Sequence, residues 1–373
     1  MANVAKQPVI DFYMYPPVGG DDWRYTFETA QVRVLEMQML TRTALLDMAN
    51  AESFEAAADL LSATEYALPR APLEVPASLE GEEKKALTGR AGRSFTEVED
   101  ILRARRQAVR ELFADLMLDE PLVELFRTRD DFANLRLAVR RTLTDKPLGT
   151  DYSPDGNFPP ELFEDVFEQE NYNLFPDYMA EATERAVLAY YKDKDIRQID
   201  YAIDHVQAEY NLKSARRLNS IFLLGLFRIQ IDLTNIRTML RLKFTQPVRP
   251  AGFTESEQRH VFLKCGYLEL DRLQRGLDVG YEALGPLFFV SPYYEVVQAG
   301  ASYLVQNKSF LAAEQRCDAH LIGFLKTTIQ ITAGPQPIIA YLLMKENEIR
   351  NVRLILTAKK NFLDTKLILD RIP

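Results

Sequence analysis

Asp131-Phe-Ala-Asn134-Leu-Arg136 is the first of three similar stretches in this chain of 373 residues. The second is Asp232-Leu-Thr-Asn235-Ile-Arg237, and the third is Glu348-Ile-Arg-Asn351-Val-Arg353. Each stretch, which we call a repeat segment, reads acid, two residues, Asn, branched aliphatic, Arg. The asparagines lie 101 and 116 residues apart. Recurrence at such intervals predicts three copies of one structural unit.

Apolar residues accompany the repeat segments at matching positions. They lie two residues before the Asn, one after it and five after it: Phe132, Leu135 and Val139, then Leu233, Ile236 and Leu240, then Ile349, Val352 and Leu356. On an α-helix this spacing forms one stripe, so each repeat segment is predicted to lie on a helix that faces a core. In the third copy Thr357 replaces the arginine found at Arg140 and Arg241, so we expect this copy to expose a face that the others bury.

Helical periodicity extends over much of the chain. Apolar residues recur at helical spacing over 24–49, 53–63, 97–118, 311–331 and 337–361, whereas alternation with a period of two is scarce. We therefore predict an all-α protein. Its predicted parts are an N-terminal extension (1–22) and three pseudo-symmetric helical units at 23–149, 150–249 and 250–373, the first with an irregular excursion rich in proline and glycine at 68–96.

The composition excludes several classes of protein. With 47% hydrophobic and 27% charged residues the chain can bury sizeable cores, and its net charge of −9 argues against a general nucleic-acid binder. Two cysteines, Cys265 and Cys317, exclude a disulfide framework and fit a reducing compartment. No apolar run reaches the roughly 20 residues of a transmembrane helix, and no signal-peptide pattern is found, so we expect a soluble protein.

Charge is distributed unevenly along the chain. Residues 151–210 contain 15 acidic and 4 basic residues, a net charge of −11. This stretch is either a solvated acidic face or a docking surface for a basic partner, with Asp193, Asp195, Asp200 and Asp204 as its candidate residues. The basic cluster of Arg103, Arg105, Arg106 and Arg110 likewise either pairs within the chain or binds an acidic partner.

Patterns typical of catalytic or cofactor sites are missing. There is neither a Gly-rich phosphate loop nor a G-x-G-x-x-G turn, and the three histidines are far apart. Residues 151–157 copy the start of a calcium loop, with Gly156 at the sixth position, but Leu162 replaces the bidentate Glu that such a loop needs. A plain turn is the favoured interpretation. We predict no catalytic residue, no metal site and no cofactor.

The repeated polar residues have two possible roles. They could mark a ligand site, but their presence in all three copies favours a structural role in which buried hydrogen bonds tie helix to helix.

The C-terminal repeat segment and its surroundings resemble a known family. Gly334-Pro-Gln-Pro-Ile-Ile-Ala-Tyr-Leu-Leu-Met-Lys345-Glu-Asn-Glu348-Ile-Arg-Asn351-Val-Arg353 is similar to the C-terminal signature of the C subunit of bacterial and archaeal V/A-type rotary ATPases, whose eukaryotic counterpart is the d subunit. Supporting matches lie at 30–36, 130–136, 199–204 and 231–237. The resemblance runs from about residue 24 to residue 361, without 68–96, and Gln31 stands where this family often has another Arg.

The resemblance implies a funnel of three pseudo-equivalent helical units around a central axis. It also implies a non-catalytic rotor subunit on the cytoplasmic face of the membrane, which receives the central stalk and sits on the membrane rotor ring during ion transport. Two other hypotheses are a helical-repeat scaffold or adaptor unrelated to rotary ATPases and a metal-dependent enzyme. Repeat periods above 100 residues disfavour an open solenoid, and no cluster of metal ligands supports the enzyme.

Overall fold

The protein is built from helices. A computed structural model describes residues 15–67, 95–144, 151–245 and 261–372, with only the backbone at Asp193. These residues form fifteen α-helices and no strand, which confirms the predicted all-α class: α1 Thr26–Glu36, α2 Arg42–Asn50, α3 Phe54–Asp59, α4 Phe95–Leu116, α5 Glu120–Leu143, α6 Pro160–Glu168, α7 Asp177–Asp193, α8 Arg197–Arg217, α9 Ile221–Thr245, α10 Leu270–Asp278, α11 Tyr281–Phe288, α12 Tyr294–Asn307, α13 Leu311–Lys326, α14 Pro335–Lys360 and α15 Thr365–Leu369. Short 3₁₀ helices lie at Trp23–Tyr25, Tyr172–Leu174 and Thr327–Gln330.

Local sequence signals explain where several helices begin. The hydroxyl oxygens of Thr41 and Ser53 accept hydrogen bonds from backbone N–H groups three residues later, both at 3.2 Å, and so cap α2 and α3. The helices α5, α6 and α14 carry proline in the first turn, where its missing N–H costs no hydrogen bond. The periodic stretch 24–49 is divided into α1 and α2, because the chain turns between them before the Thr41 cap.

The chain groups into two compact units. The larger unit is formed by Met1–Gly20 with Met117–Thr327, and the smaller unit by Asp21–Leu116 with Thr328–Pro373. This grouping differs from the predicted division at 149/150 and 249/250, but both predicted junctions and most of the excursion at 68–96 lie outside the described residues. The division into three units therefore stays a prediction. Of the predicted extension, Pro16 and Val18 are buried in the larger unit.

In the larger unit each repeat helix packs against helices that follow it in the sequence. The first, α5, contacts α6, α7 and α8. The second, α9, contacts α10, α12 and α13, and it also contacts α8, which precedes it. The apolar stripe of α5 belongs to a core that also contains Phe163, Val166, Met179 and Ile203. The stripe residues of α9 are buried in the same way.

In the smaller unit the order is reversed. The third repeat helix, α14, packs against α1, α2, α3 and α4, which precede it, and against the short α15. Its stripe residues Ile349, Val352 and Leu356 are buried. The predicted stripe is thus confirmed in all three copies. Among the described residues, no helix is both long and apolar enough to cross a membrane.

Candidate functional site

The first repeat segment holds the loop that follows its helix. The Asn134 side chain donates from Nδ2 to the Ser153 carbonyl at 2.9 Å and accepts the Ser153 N–H at Oδ1 at 2.8 Å. Oδ1 of Asp131 accepts the N–H groups of Asn157 and Phe158, at 2.8 and 3.2 Å. Its other oxygen, Oδ2, accepts the Asn157 side-chain amide at 2.8 Å. Two side chains one turn apart therefore fix residues 153–158.

The second repeat segment holds the equivalent loop. Asn235 donates to the Leu263 carbonyl at 2.9 Å and accepts the Leu263 N–H at 2.8 Å. The Asp232 carboxylate accepts the N–H groups of Tyr267 and Leu268, at 2.9 and 3.0 Å. It also accepts the Tyr293 hydroxyl at 2.8 Å. In both copies the Asn side chain binds the backbone of one loop residue. The acid then accepts the N–H groups of the residues four and five positions further along the chain. We call 153–158 and 263–268 the anchored loops.

A glycine lies at the same place in both anchored loops. A Cβ atom on Gly156 would overlap Oδ1 of Asp131, and one on Gly266 would overlap Oδ1 of Asp232. Close approach of the carboxylate to the backbone therefore requires glycine. This accounts for the calcium-like glycine at Gly156, since the chain's own hydrogen bonds fix the loop. No group of three or more potential metal-ligating His, Cys, Asp or Glu side chains occurs among the described residues.

Replacing Gly266 by alanine is expected to displace its loop. The added methyl group must push Asp232 away from the N–H groups it accepts, and we expect a loss of about 2 kcal/mol in the stability of the larger unit. That loss corresponds to a melting temperature lower by roughly 4–8 °C in circular dichroism. Gly20→Ala is the matched control because no atom lies within 4 Å of a Cβ there. Equal melting temperatures for the two variants would contradict this explanation.

The repeat arginine ties its helix to a second helix. In the first copy Arg136 pairs with Asp204 and, at 3.4 Å between Nε and Oδ1, with Asp200, while Arg140 also pairs with Asp200. Both acids lie on α8, four residues apart. Two arginines on α5 therefore meet two carboxylates on α8.

The second copy repeats this arrangement. Nε of Arg237 lies 2.7 Å from Oε2 of Glu314, and its Nη2 lies 3.4 Å from Oδ1 of Asp318. Arg241 pairs with Glu314 at 2.8 Å. These acids lie four residues apart on α13, as Asp200 and Asp204 do on α8. Sequence reasoning missed Glu314 and Asp318, although the same acid-x-x-x-acid spacing at 200–204 was a signal for them.

The four candidate docking acids occupy different environments. Asp200 and Asp204 take part in the ion pairs with α5. Asp195 accepts from Arg197 at 2.7 Å, and this hydrogen bonding lowers the pKa of its carboxyl. The Asp193 side chain lies outside the described part of the structure. Docking of a basic partner at these residues stays a prediction.

The third repeat segment uses a different set of contacts. Glu348 accepts the Leu40 N–H at 2.6 Å, the Tyr66 hydroxyl at 2.7 Å and the Lys345 ammonium at 2.5 Å. Lys345, only 2% exposed, also pairs with Glu65. Burial, followed by the charge of Glu348, raises the pKa of the Tyr66 hydroxyl. A buried charged cluster therefore replaces the anchored loop, and sequence reasoning missed Lys345, Glu65 and Tyr66 as its members.

The third repeat also keeps only part of the arginine ties. Arg353 pairs with Glu99 of α4 at 3.0 Å, and Asn351 is buried. Thr357 stands in place of the second arginine. Within the basic cluster, Arg110 pairs with Glu346 at 3.1 Å and Arg103 with Asp100 at 3.4 Å. Internal pairing, the first of the two interpretations, therefore describes these two arginines.

Burial also changes the titration of two groups in the larger unit. It raises the pKa of the Asp232 carboxyl to about 7, although the N–H groups of Leu268 and Tyr267 and the Tyr293 hydroxyl act in the opposite direction. It lowers the pKa of His320 to about 4, so this imidazole is neutral at neutral pH. The His320 ring lies between those of Tyr15 and Tyr293, at 5.2 and 4.9 Å between centroids, beside a cavity of about 250 Å³. His320 is thus a half-buried histidine that packs between two aromatic rings.

Comparison with known proteins identifies a matching family and a relative. The family model described as ATP synthase (C/AC39) subunit matches residues 29–371. The chain is 22% identical over 341 residues to the C subunit of the V-type sodium ATPase of Enterococcus hirae, a match that covers 91% of this chain and 95% of that protein. The predicted resemblance is confirmed, and because the family model spans nearly the whole chain, this protein belongs to the ATP synthase (C/AC39) subunit family.

Proposed function

We propose that this protein is a non-catalytic rotor subunit of a V/A-type ATPase, and that it couples the central stalk to the membrane rotor ring during ion transport. Family membership supports its place as a subunit of such a complex. The proposal adds its partners, which are stalk subunits and the cytoplasmic loops of the ring, and its position on the cytoplasmic face of the membrane. The funnel of three helical units implied by the resemblance is part of the proposal.

The observation that carries the proposal is the double tie at each repeat helix of the larger unit. On α5 and α9 one helical turn holds a loop through Asp and Asn, and the following arginines hold a second helix. Close-packed cores resist deformation, and the buried hydrogen bonds of Asn134 and Asn235 hold each anchored loop against its helix. A subunit that transmits torque needs this resistance, whereas a catalytic site needs a cavity with converging reactive groups.

The acidic stretch contributes a further element to the proposal. Residues 151–210 would meet a basic surface of the stalk or ring, with Asp195 as one contact. Attraction between exposed charges weakens as salt is added, because the Debye length falls from about 10 Å at 0.1 M to about 3 Å at 1 M. Raising the salt concentration is therefore expected to weaken assembly, and so is the change Asp195→Asn.

The proposal is tested by reconstitution. We expect the purified chain to form one complex with purified stalk subunits and the detergent-solubilised ring, measured by size-exclusion chromatography with light scattering. A rotary ATPase lacking this subunit is expected to hydrolyse ATP without transporting ions until the chain is added back. A chain that binds neither stalk nor ring, or transport that does not depend on it, would contradict the proposal.

A further inference from the structure

A cavity of about 250 Å³ lies in the larger unit beside the first turn of α12. Three ring-bearing side chains line it: Tyr15, Tyr294 of α12 and His320 of α13. Two exposed charged side chains, Glu295 of α12 and Arg316 of α13, line it as well. Cavities that combine apolar walls with a few polar side chains are typical of small-molecule sites. The side chains around this cavity therefore indicate which kind of molecule it fits.

The charged groups of this cavity are not bonded to other parts of the described chain. Glu295 and Arg316 form no ion pair, either with each other or with another described residue. His320 contacts two tyrosine rings but makes no hydrogen bond to a described residue. Glu314, also on α13, is by contrast paired with Arg237. The charges at the cavity can therefore bind a ligand without breaking an ion pair of the described chain.

The first copy lacks these polar groups. The acids of the ion pairs align α13 with α8, so that Arg316 and His320 correspond to Ala202 and Val206. Val206 is buried in the core around α5, and Ala202 packs against that core. Both copies nevertheless hold their repeat helix through acids at the same positions. The shared scaffold therefore does not require a polar side chain at either position, which favours a role in binding for Arg316 and His320.

The lining favours a ligand that carries both charges. Aromatic rings and a carboxylate attract an organic cation. Burial, followed by the charge of Glu295, raises the pKa of the Tyr15 hydroxyl, so this carboxylate acts on the aromatic side of the cavity. Burial lowers the pKa of His320 to about 4, so its imidazole is neutral at neutral pH and does not repel a cation. The Arg316 guanidinium attracts a carboxylate.

We propose that this cavity binds a small zwitterion, whose ammonium group contacts Glu295 and the aromatic side chains and whose carboxylate contacts Arg316. Bound there, the ligand would join Tyr15 to α12 and α13. This inference goes beyond the proposed function and does not depend on it. The probe is glycine betaine, in which one carbon atom joins a trimethylammonium group to a carboxylate.

Isothermal titration calorimetry of the purified full-length chain measures this binding. For a ligand as small as glycine betaine we expect a dissociation constant of about 1 mM or lower. Choline lacks the carboxylate and acetate lacks the ammonium group, so each should bind at least about tenfold more weakly than betaine. A chain that does not bind betaine, or that binds choline or acetate equally well, would overturn the proposal.

Two variants identify the charged side chains that hold the probe. Glu295→Gln should weaken betaine binding roughly tenfold and remove the preference for betaine over acetate. Arg316→Gln should weaken betaine binding to a similar extent and remove the preference for betaine over choline. Glu184→Gln is the matched control and should leave the affinity unchanged, because Glu184 is exposed on α7 and forms no ion pair with a described residue. All three side chains are exposed, so each variant should keep its circular dichroism spectrum.

Nuclear magnetic resonance locates the bound probe through His320. In a chain labelled with ¹⁵N-histidine, the imidazole resonances of His320 are identified by their pKa of about 4. Glycine betaine should shift these resonances and leave those of His205 on α8 unchanged. Betaine binding that leaves the His320 resonances unmoved, or the affinity of both variants unchanged, would overturn the assignment of this cavity. Failure of the chain to bind stalk or ring would count against the proposed function alone.

Discussion

The change Asp232→Ala is expected to cost the larger unit about 4 kcal/mol of its free energy of unfolding. The carboxylate is fully buried and accepts three hydrogen bonds, from the N–H groups of Tyr267 and Leu268 and from the Tyr293 hydroxyl. Its removal leaves three donors without an acceptor, of which those of Leu268 and Tyr293 are buried, and each buried donor costs about 1–3 kcal/mol. Partial relaxation of the loop keeps the loss in unfolding free energy below the sum of the costs of the three donors.

Hydrogen exchange followed by mass spectrometry provides the measurement. Amide protection should fall in α9 and in residues 261–268 and remain unchanged in α14. The equivalent change Asp131→Ala is the comparison, and we expect it to cost about half as much. Two of the donors to Asp131 belong to the half-buried Asn157, where water can replace the carboxylate. Equal losses at the two positions would show that burial of the donors does not set the cost.

The change Lys345→Met is expected to cost the smaller unit about 3–5 kcal/mol. Methionine retains most of the volume of the side chain, but it leaves Glu348, 4% exposed, as a buried carboxylate without its cation. Breaking a buried ion pair by removing one partner is far more costly than replacing both. The loss of stability therefore comes from the unpaired carboxylate of Glu348 rather than from lost packing.

A double-mutant cycle identifies that origin. The pair Lys345→Met with Glu348→Gln should be more stable than Lys345→Met alone, because the neutral amide still accepts from Leu40 or Tyr66 and carries no uncompensated charge. Urea unfolding followed by circular dichroism measures each variant. Lys366→Met, at an exposed position on α15, is the control and should be nearly neutral. A double variant that is less stable than the single one would exclude the explanation by charge.

The sequence predicted the parts of the fold that depend on local spacing. The nine apolar positions around the repeat segments, from Phe132 to Leu356, are identifiable because a helix brings residues three and four apart onto one face. The structure differs from the predicted helix-to-helix hydrogen bonds at Asp131 and Asn134, because both side chains bind a loop and not a second helix. This periodicity was enough to predict the all-α class, because alternation of apolar and polar residues, which is typical of strands, is scarce in the sequence.

Contacts between distant residues could not be predicted in the same way. Glu348 accepts hydrogen bonds from Leu40 and Tyr66, which lie 308 and 282 residues away in the sequence, and no local pattern predicts these partners. The partners of Arg237 could have been predicted, because Glu314 and Asp318 repeat the spacing of Asp200 and Asp204. Those earlier acids were interpreted as surface charge, since a sequence shows the sign of a side chain but not whether an arginine on another helix faces it.

The discontinuous smaller unit has a consequence for biosynthesis. Its helices α1–α4 leave the ribosome early, whereas the helix they pack against, α14, follows only after the 211 residues from Met117 to Thr327. At translation rates of about 5–20 residues per second, this delay is roughly 10–40 seconds. During that interval the apolar faces of the nascent N-terminal helices have no native partner, and they become substrates for chaperones or proteases. The smaller unit can therefore fold only after α14 has been synthesised. A chain that ends before Pro335 lacks α14, so this unit cannot fold.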